Sequence, residues 1–200
     1  MEFLMSIENV HTENIINGMK KSFNNAEALL QEADILKSNK KFARAYTLCQ
    51  IAIEELAKIP MLFALWIKRI NDYDIDYKQL NDFFKDHQQK TALSIEIEIA
   101  FFKLYKEHIG NDWVDDAIKQ DKELSTKFKE LNKLKNESLY VSIINKDFQS
   151  PDEIIDEEKF NNIYGTALLR KTMIKKYIDV SEKGIDEIAK AIKESHSTLS

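Results

Sequence analysis

Glu54 and Glu55, followed by Lys58, form the first group in this chain that could do chemistry. They lie inside the apolar stretch from Ala45 to Ile67, where an unpaired charge is costly. Two readings stand side by side. Glu54 and Lys58, four residues apart on one helical face, can satisfy each other. Alternatively, the three groups bind charges on a neighbouring helix or line a polar cleft, with His87 and Lys90 as candidate partners. Those two residues are three apart within Phe83-Phe84-Lys85-Asp86-His87-Gln88-Gln89-Lys90 and share a helical face. A histidine so placed is more often structural or solvated than catalytic. Lys127, Lys129, Lys133 and Lys135 make a basic strip, which is either a solvated helix face or a set of phosphate contacts.

Other chemistries lack their residues. Glu8-x-x-His11 stands alone as a Glu-x-x-His, whereas a di-iron bundle needs two together with partner carboxylates. His11, His87, His108 and His196 are scattered, and neither HExxH nor CxxC occurs, so no metal and no cofactor is expected. Gly18, Gly110, Gly165 and Gly184 are too far apart to cradle a phosphate. No nucleophile elbow is present. The formal charge is −5, and the two halves are similar, with 12 basic against 15 acidic residues in 1–100 and 17 against 19 in 101–200. A dedicated duplex DNA binder would carry a basic excess. RNA would have to use a local patch.

Helices must position these groups. With 4 Gly and 2 Pro in 200 residues, the chain is poor in the turn residues that sandwiches, barrels and Rossmann folds require. The helical period runs throughout. A first helix is expected from Thr12, as N-cap, to Lys37. A second should run from Lys41 to the Asn71 region, kinked at Pro60 and apolar on nearly all sides, which marks a central helix. A third covers Tyr77 to His108, and a fourth starts at Asp112 and reaches Glu137. Residues 139–150 read as an extended connector. A fifth helix spans Ile154 to Ile178 and a short sixth Ser181 to Glu194. The expectation is one all-α domain over 1–200 with its core at 12–178, a short C-terminal helix and a tail over 179–200. Glu54, Glu55 and Lys58 interrupt the longest apolar stretch, so no membrane span is expected. A lone Cys49 and the absence of a secretory leader point to the cytoplasm.

The ordered set Gly18-x-x-Lys21, Asn25-Ala26-x-x-Leu29-Leu30-x-x-Ala33, Ala43-Arg44-Ala45 and Ala52-Ile53-Glu54-Glu55-Leu56-x-Lys58 resembles the AbiV group of bacterial abortive-infection proteins. His87-x-x-Lys90 and Leu139-Tyr140-Val141 before Ser150-Pro151 are similar to that group too. The resemblance extends from Gly18 to the fifth helix. It implies membership of the HEPN superfamily: an all-α bundle of five to six helices that commonly dimerises around a shared cleft. It also implies phage defence, with RNA or the translation machinery as target and a phage-encoded protein as activator. Many HEPN proteins are metal-independent endoribonucleases whose signature is Arg, often with Asn or Asp next, then His after four to six residues. The positional counterpart here is Lys135-Asn136-x-x-x-Tyr140, with Lys for Arg and Tyr for His. Lysine neutralises a phosphate without the bidentate fork of arginine, and a phenol donates a hydrogen bond rather than acting as a base at neutral pH. Lys103-x4-His108 is a second near-match. Arg44, Arg69 and Arg170 have no histidine at the required spacing. The resemblance thus implies a catalytic set of Lys135, Asn136, Tyr140 and His87, supported by Glu54, Glu55, Lys58 and Lys90. The alternative is a non-catalytic bundle that inhibits by binding a phage or host protein.

Overall fold

Ten residues into the chain the helical pattern takes over, and a computed structural model describes residues 7–85, 94–103, 106 and 114–183. A 3-10 turn, Ile7–Asn9, leads into α1 (Thr12–Ser38), α2 (Phe42–Leu56), α3 (Lys58–Ile70) and α4 (Tyr77–Lys85). Residues 94–103 form α5, and Val114–Glu137 form α6. A hairpin of β1 (Ser142–Ile144) and β2 (Asp147–Gln149) precedes the one-turn α7 (Pro151–Ile154) and the long α8 (Glu157–Lys183). The architecture is an all-α bundle that carries one small hairpin.

α2 occupies the centre, packed between α1 and α8. Ala43, Ala45, Cys49 and Ala52 are fully buried along it, and such small side chains let neighbouring backbones come close. Burial pushes the Cys49 thiol up to about 12. α3 continues the apolar core with Ile59, Met61, Phe63, Leu65 and Trp66. The Phe63 ring meets Phe101 of α5 edge-on at 5.4 Å and Tyr177 of α8 at 5.3 Å, while Phe101 and Tyr177 stack at 4.1 Å. These rings join three helices through their apolar area and quadrupole geometry. Among the described residues, no helix is long and apolar enough to cross a membrane.

Several boundaries differ from the sequence reading. Instead of one kinked second helix, the chain breaks at Ala57, three residues before Pro60. Proline cannot donate to the carbonyl of Leu56, so the lost hydrogen bond ends α2, and Pro60 sits in the first turn of α3, where no donor is needed. His11 rather than Thr12 occupies the N-cap of α1, in extended backbone and without a side-chain cap. The extended connector at 139–150 folds back on itself: Asn145 and Lys146 take φ of 52° and 70°, and Ser142 pairs with Gln149, Ile143 with Phe148, and Ile144 with Asp147. Two successive left-handed residues make the tight turn whose twist matches a two-stranded ribbon. The last long helix starts at Glu157 and continues through Ser181 to Lys183, so the expected stop at Ile178 and restart at Ser181 do not occur. The junction between α7 and α8 is extended at Ile155, with Asp156 accepting from the Lys159 backbone N–H at 2.8 Å. Asp112, the end of the expected third helix at His108, and residues 184–200 lie outside the described residues.

Lys40 and Asp72 also take positive φ, 57° and 54°, one residue beyond the C-caps of α1 and α3. In each case the next N–H turns back into the last turn: Lys41 to the Leu36 carbonyl at 2.9 Å and Tyr73 to the Lys68 carbonyl at 2.9 Å. This is the hydrogen-bond pattern that glycine usually terminates, made here without glycine. Phe63→Ala should lower the free energy of unfolding by about 3–5 kcal/mol, read by chemical denaturation, because the cavity it leaves is lined by rings from three helices that cannot all collapse into it.

Candidate functional site

α2 buries most of its circumference, so its polar side chains need protein partners, and the end of α6 supplies them. Glu54 pairs with Lys135 at 2.6 Å, and these side chains are 14% and 16% exposed. Thr47 and Ser138 share a buried 2.6 Å hydrogen bond, and Thr47 also donates to the Ala43 carbonyl. One turn earlier on α2, Arg44 Nη1 donates to the Leu139 carbonyl at 3.2 Å. Positions 44, 47 and 54 thus meet 139, 138 and 135, so the two segments run in opposite directions and close like a clasp. Glu55 pairs with Lys58. The self-contained Glu54–Lys58 pair is therefore replaced by one contact to the next turn and one to a neighbouring helix.

The implied catalytic residues occupy different environments. Lys135 is half-buried and its ammonium is held by Glu54. Asn136 is exposed, and Tyr140 is 66% exposed, its backbone N–H returning to the Asn136 carbonyl at 3.0 Å. Lys133 points to solvent and reaches Glu137 at 3.7 Å. His87 and Lys90, and with them any contact to Glu54, Glu55 or Lys58, lie outside the described residues, as does His108. Arg44 is the residue that sequence reasoning did not place. It is exposed between buried Ala43 and Ala45, and its bond to Leu139 sets a guanidinium beside the residue that precedes Tyr140. Its signal was present: a lone cation between two alanines at the start of a central helix has only the rim to point to. Arg44, Asn136 and Tyr140 consequently share the solvent-facing end of α6. They offer a cation with spare donors, an amide and a phenol, groups suited to a phosphate and an unpaired base.

A second polar cluster is buried. Arg170 on α8 bonds Glu98 of α5 at 2.5 Å, Asp121 of α6 at 3.1 Å and Ser94 of α5 at 3.3 Å. Arg170 and Asp121 are 2% exposed and Glu98 is wholly buried. Two carboxylates face one guanidinium, which leaves a negative charge in excess unless a proton is held. Burial, then the neighbouring Glu98 charge, push Asp121 up to about 8, against the pull of Arg170. The Tyr177 hydroxyl, six intervening residues beyond Arg170, is buried without a hydrogen-bond partner, and burial raises it well above its ordinary range. Because this cluster is closed to solvent, it pins α5 and α6 to α8 rather than contacting a ligand. Among the described residues, no group of three or more His, Cys, Asp or Glu is arranged to hold a metal ion.

The AbiV model of the HEPN group (HEPN_AbiV) matches residues 14–170. The chain belongs to the AbiV family. Membership assigns this AbiV chain to the helical HEPN class and to abortive-infection defence against phage. No curated protein and no solved structure matches the chain. The matched span contains the α2–α6 clasp and ends on Arg170, so both polar clusters of this AbiV protein, apart from Tyr177, fall within it.

Two outcomes follow from this geometry. Lys135→Ala removes the 2.6 Å partner of half-buried Glu54 and should cost about 1 kcal/mol of stability in denaturant unfolding. A double-mutant cycle with Glu54→Gln should return a coupling of similar sign. Asp121 binds its proton more tightly folded than unfolded, so unfolding releases that proton between about pH 4 and about pH 8, and stability falls as pH rises through this window. Asp121→Asn should flatten that decline in thermal midpoints measured from pH 6 to 9, relative to wild type.

Proposed function

We propose that this protein is an abortive-infection effector that halts phage multiplication by acting on RNA or on the translation apparatus, working as a homodimer and switched on by a phage-encoded protein. The observation that supports action on RNA is the bond from Arg44 to the Leu139 carbonyl, which sets a guanidinium next to the residue preceding exposed Tyr140, on the chain segment that carries exposed Asn136. A guanidinium beside a phenol can take a phosphate in two hydrogen bonds while the ring stacks on an unpaired base. In a cleavage step Arg44 would neutralise the charge that develops on the scissile phosphate, and Tyr140 would donate to one of its oxygens. Lys135, the residue in the signature's Arg position, serves in this reading as a positioning residue, because its charge is spent on Glu54.

A second reading, inhibition by occupying a phage or host protein, is favoured by that same pairing. With Lys135 held by Glu54 and Lys58 by Glu55, two of the cations assigned to a catalytic cleft are already neutralised.

RNA integrity and protein synthesis should be compared in phage-infected bacteria carrying wild type, Arg44→Ala or Tyr140→Phe at matched soluble levels. Both substitutions are at exposed positions and leave the core intact. Discrete cleavages with 5′-hydroxyl ends, or arrested translation, should accompany wild-type protection only after infection. Both should fall at least about tenfold in the variants, the loss expected when one charge-assisted contact is removed. Full phage resistance with intact RNA and continued translation would sink this reading in favour of occupancy.

A further inference from the structure

The hairpin at 140–149 turns its apolar side chains the wrong way for a monomer. Ile144 packs against the core, as the inner face of a strand should. The opposite face points to water: Val141 is 61% exposed, Ile143 70% and Phe148 72%. Ile143 and Phe148 are directly opposed across the two strands, and Val141 lies two residues before Ile143 on the same side. An uncovered group of this size is unusual on a soluble surface and marks a contact. A two-stranded ribbon is also marginal by itself, so a covering partner would stabilise it.

We propose that this outer hairpin face is the surface through which two copies of the chain pair, an inference that rests on the homodimer reading above. Three observations select a second copy. The centre of the face carries no charge, and Val141 and Ile143 have no ring on which a base could stack, so a nucleic-acid strand would leave most of it uncovered. At its rim the turn sets Lys146 next to Asp147, both exposed. A patch with one charge of each sign beside an apolar pair is complementary to itself, as a two-fold contact requires. The area also fits. The three side chains expose on the order of 400 Å² per copy, so a pair hides roughly 800 Å², the size of a weak, reversible contact. Pairing here brings the exposed end of α6 close to the contact in each copy, since Tyr140 immediately precedes Val141 in the chain.

Sedimentation velocity on the whole chain from about 1 to about 100 µM tests this, since an interface of this size gives an affinity within that range. Wild type should sediment as a dimer at the top of the range and shift toward monomer on dilution. Phe148→Glu should be monomeric throughout with an unchanged helical circular dichroism spectrum. The milder double variant Ile143→Ala with Phe148→Ala should raise the dissociation constant at least about tenfold. A dimer untouched by these variants would overturn the hairpin as the contact while leaving the homodimer standing. Wild type that is monomeric throughout would overturn both. Binding of a phage protein or RNA that Phe148→Glu abolishes, with no dimer at any concentration, would give the face to another occupant.

Discussion

Burial of α2 on nearly every side is the constraint on which the rest of the structure depends. A helix buried on most of its circumference cannot leave the polar side chains of its inner faces to water, so each of those must be answered by the protein. Thr47 is answered by Ser138, Gln50 by the Tyr46 hydroxyl at 3.3 Å, Glu54 by Lys135 and Glu55 by Lys58. Two of these contacts, together with the bond from Arg44 to the Leu139 carbonyl, fall on the last turn of α6 and the two residues beyond it. They determine where α6 stops, hence where Asn136 and Tyr140 emerge and where the hairpin begins. The exposed end of α6 is therefore a product of the core and not an independent surface feature.

The second constraint is the unequal charge count around Arg170. A guanidinium and two carboxylates in a closed space hold together best with one proton added, so α5, α6 and α8 are joined by an arrangement that is sensitive to proton supply. Replacing such a cluster by apolar side chains is often neutral or stabilising, so its persistence argues for a role in specifying which helices meet. It stands at the opposite extreme from the α2–α6 clasp. One polar cluster is sealed, while the other is sealed on its inner side and open at Arg44.

The bundle was legible in the sequence because apolar period and scarce turn residues act over many positions at once. The central character of α2 could be read from Cys49, Ala52, Ile53 and Leu56 with Leu48 and Ile51 around them. The break at Ala57 was harder to place: proline acts on the carbonyl four residues before it, so its effect appears upstream of itself. The hairpin was read only as extended, because its turn uses Asn145-Lys146 instead of a glycine pair. For the site, the partner of Glu54 is a tertiary fact. Lys135 lies 81 residues from Glu54, and no spacing rule connects them. The Ala43-Arg44-Ala45 pattern marks Arg44 as a rim cation, but its bond to the Leu139 carbonyl is to backbone and so has no counterpart in residue type. Arg170 has no histidine downstream at the signature spacing, and its partners come from two other helices.

The corners made without glycine have a consequence for how this chain can change. Lys40 and Asp72 hold a backbone hand that their own chirality opposes by roughly 1–2 kcal/mol each. Natural sequences reach greater stability by many small steps, and most positions in a packed bundle offer none without repacking a neighbour. These two helix ends are different, since each side chain is exposed and glycine would relieve the backbone there. They represent unspent evolutionary headroom: a lineage of this protein could absorb a damaging substitution at the α6 surface, acquire a new contact there, and recover its stability at a corner far from the change.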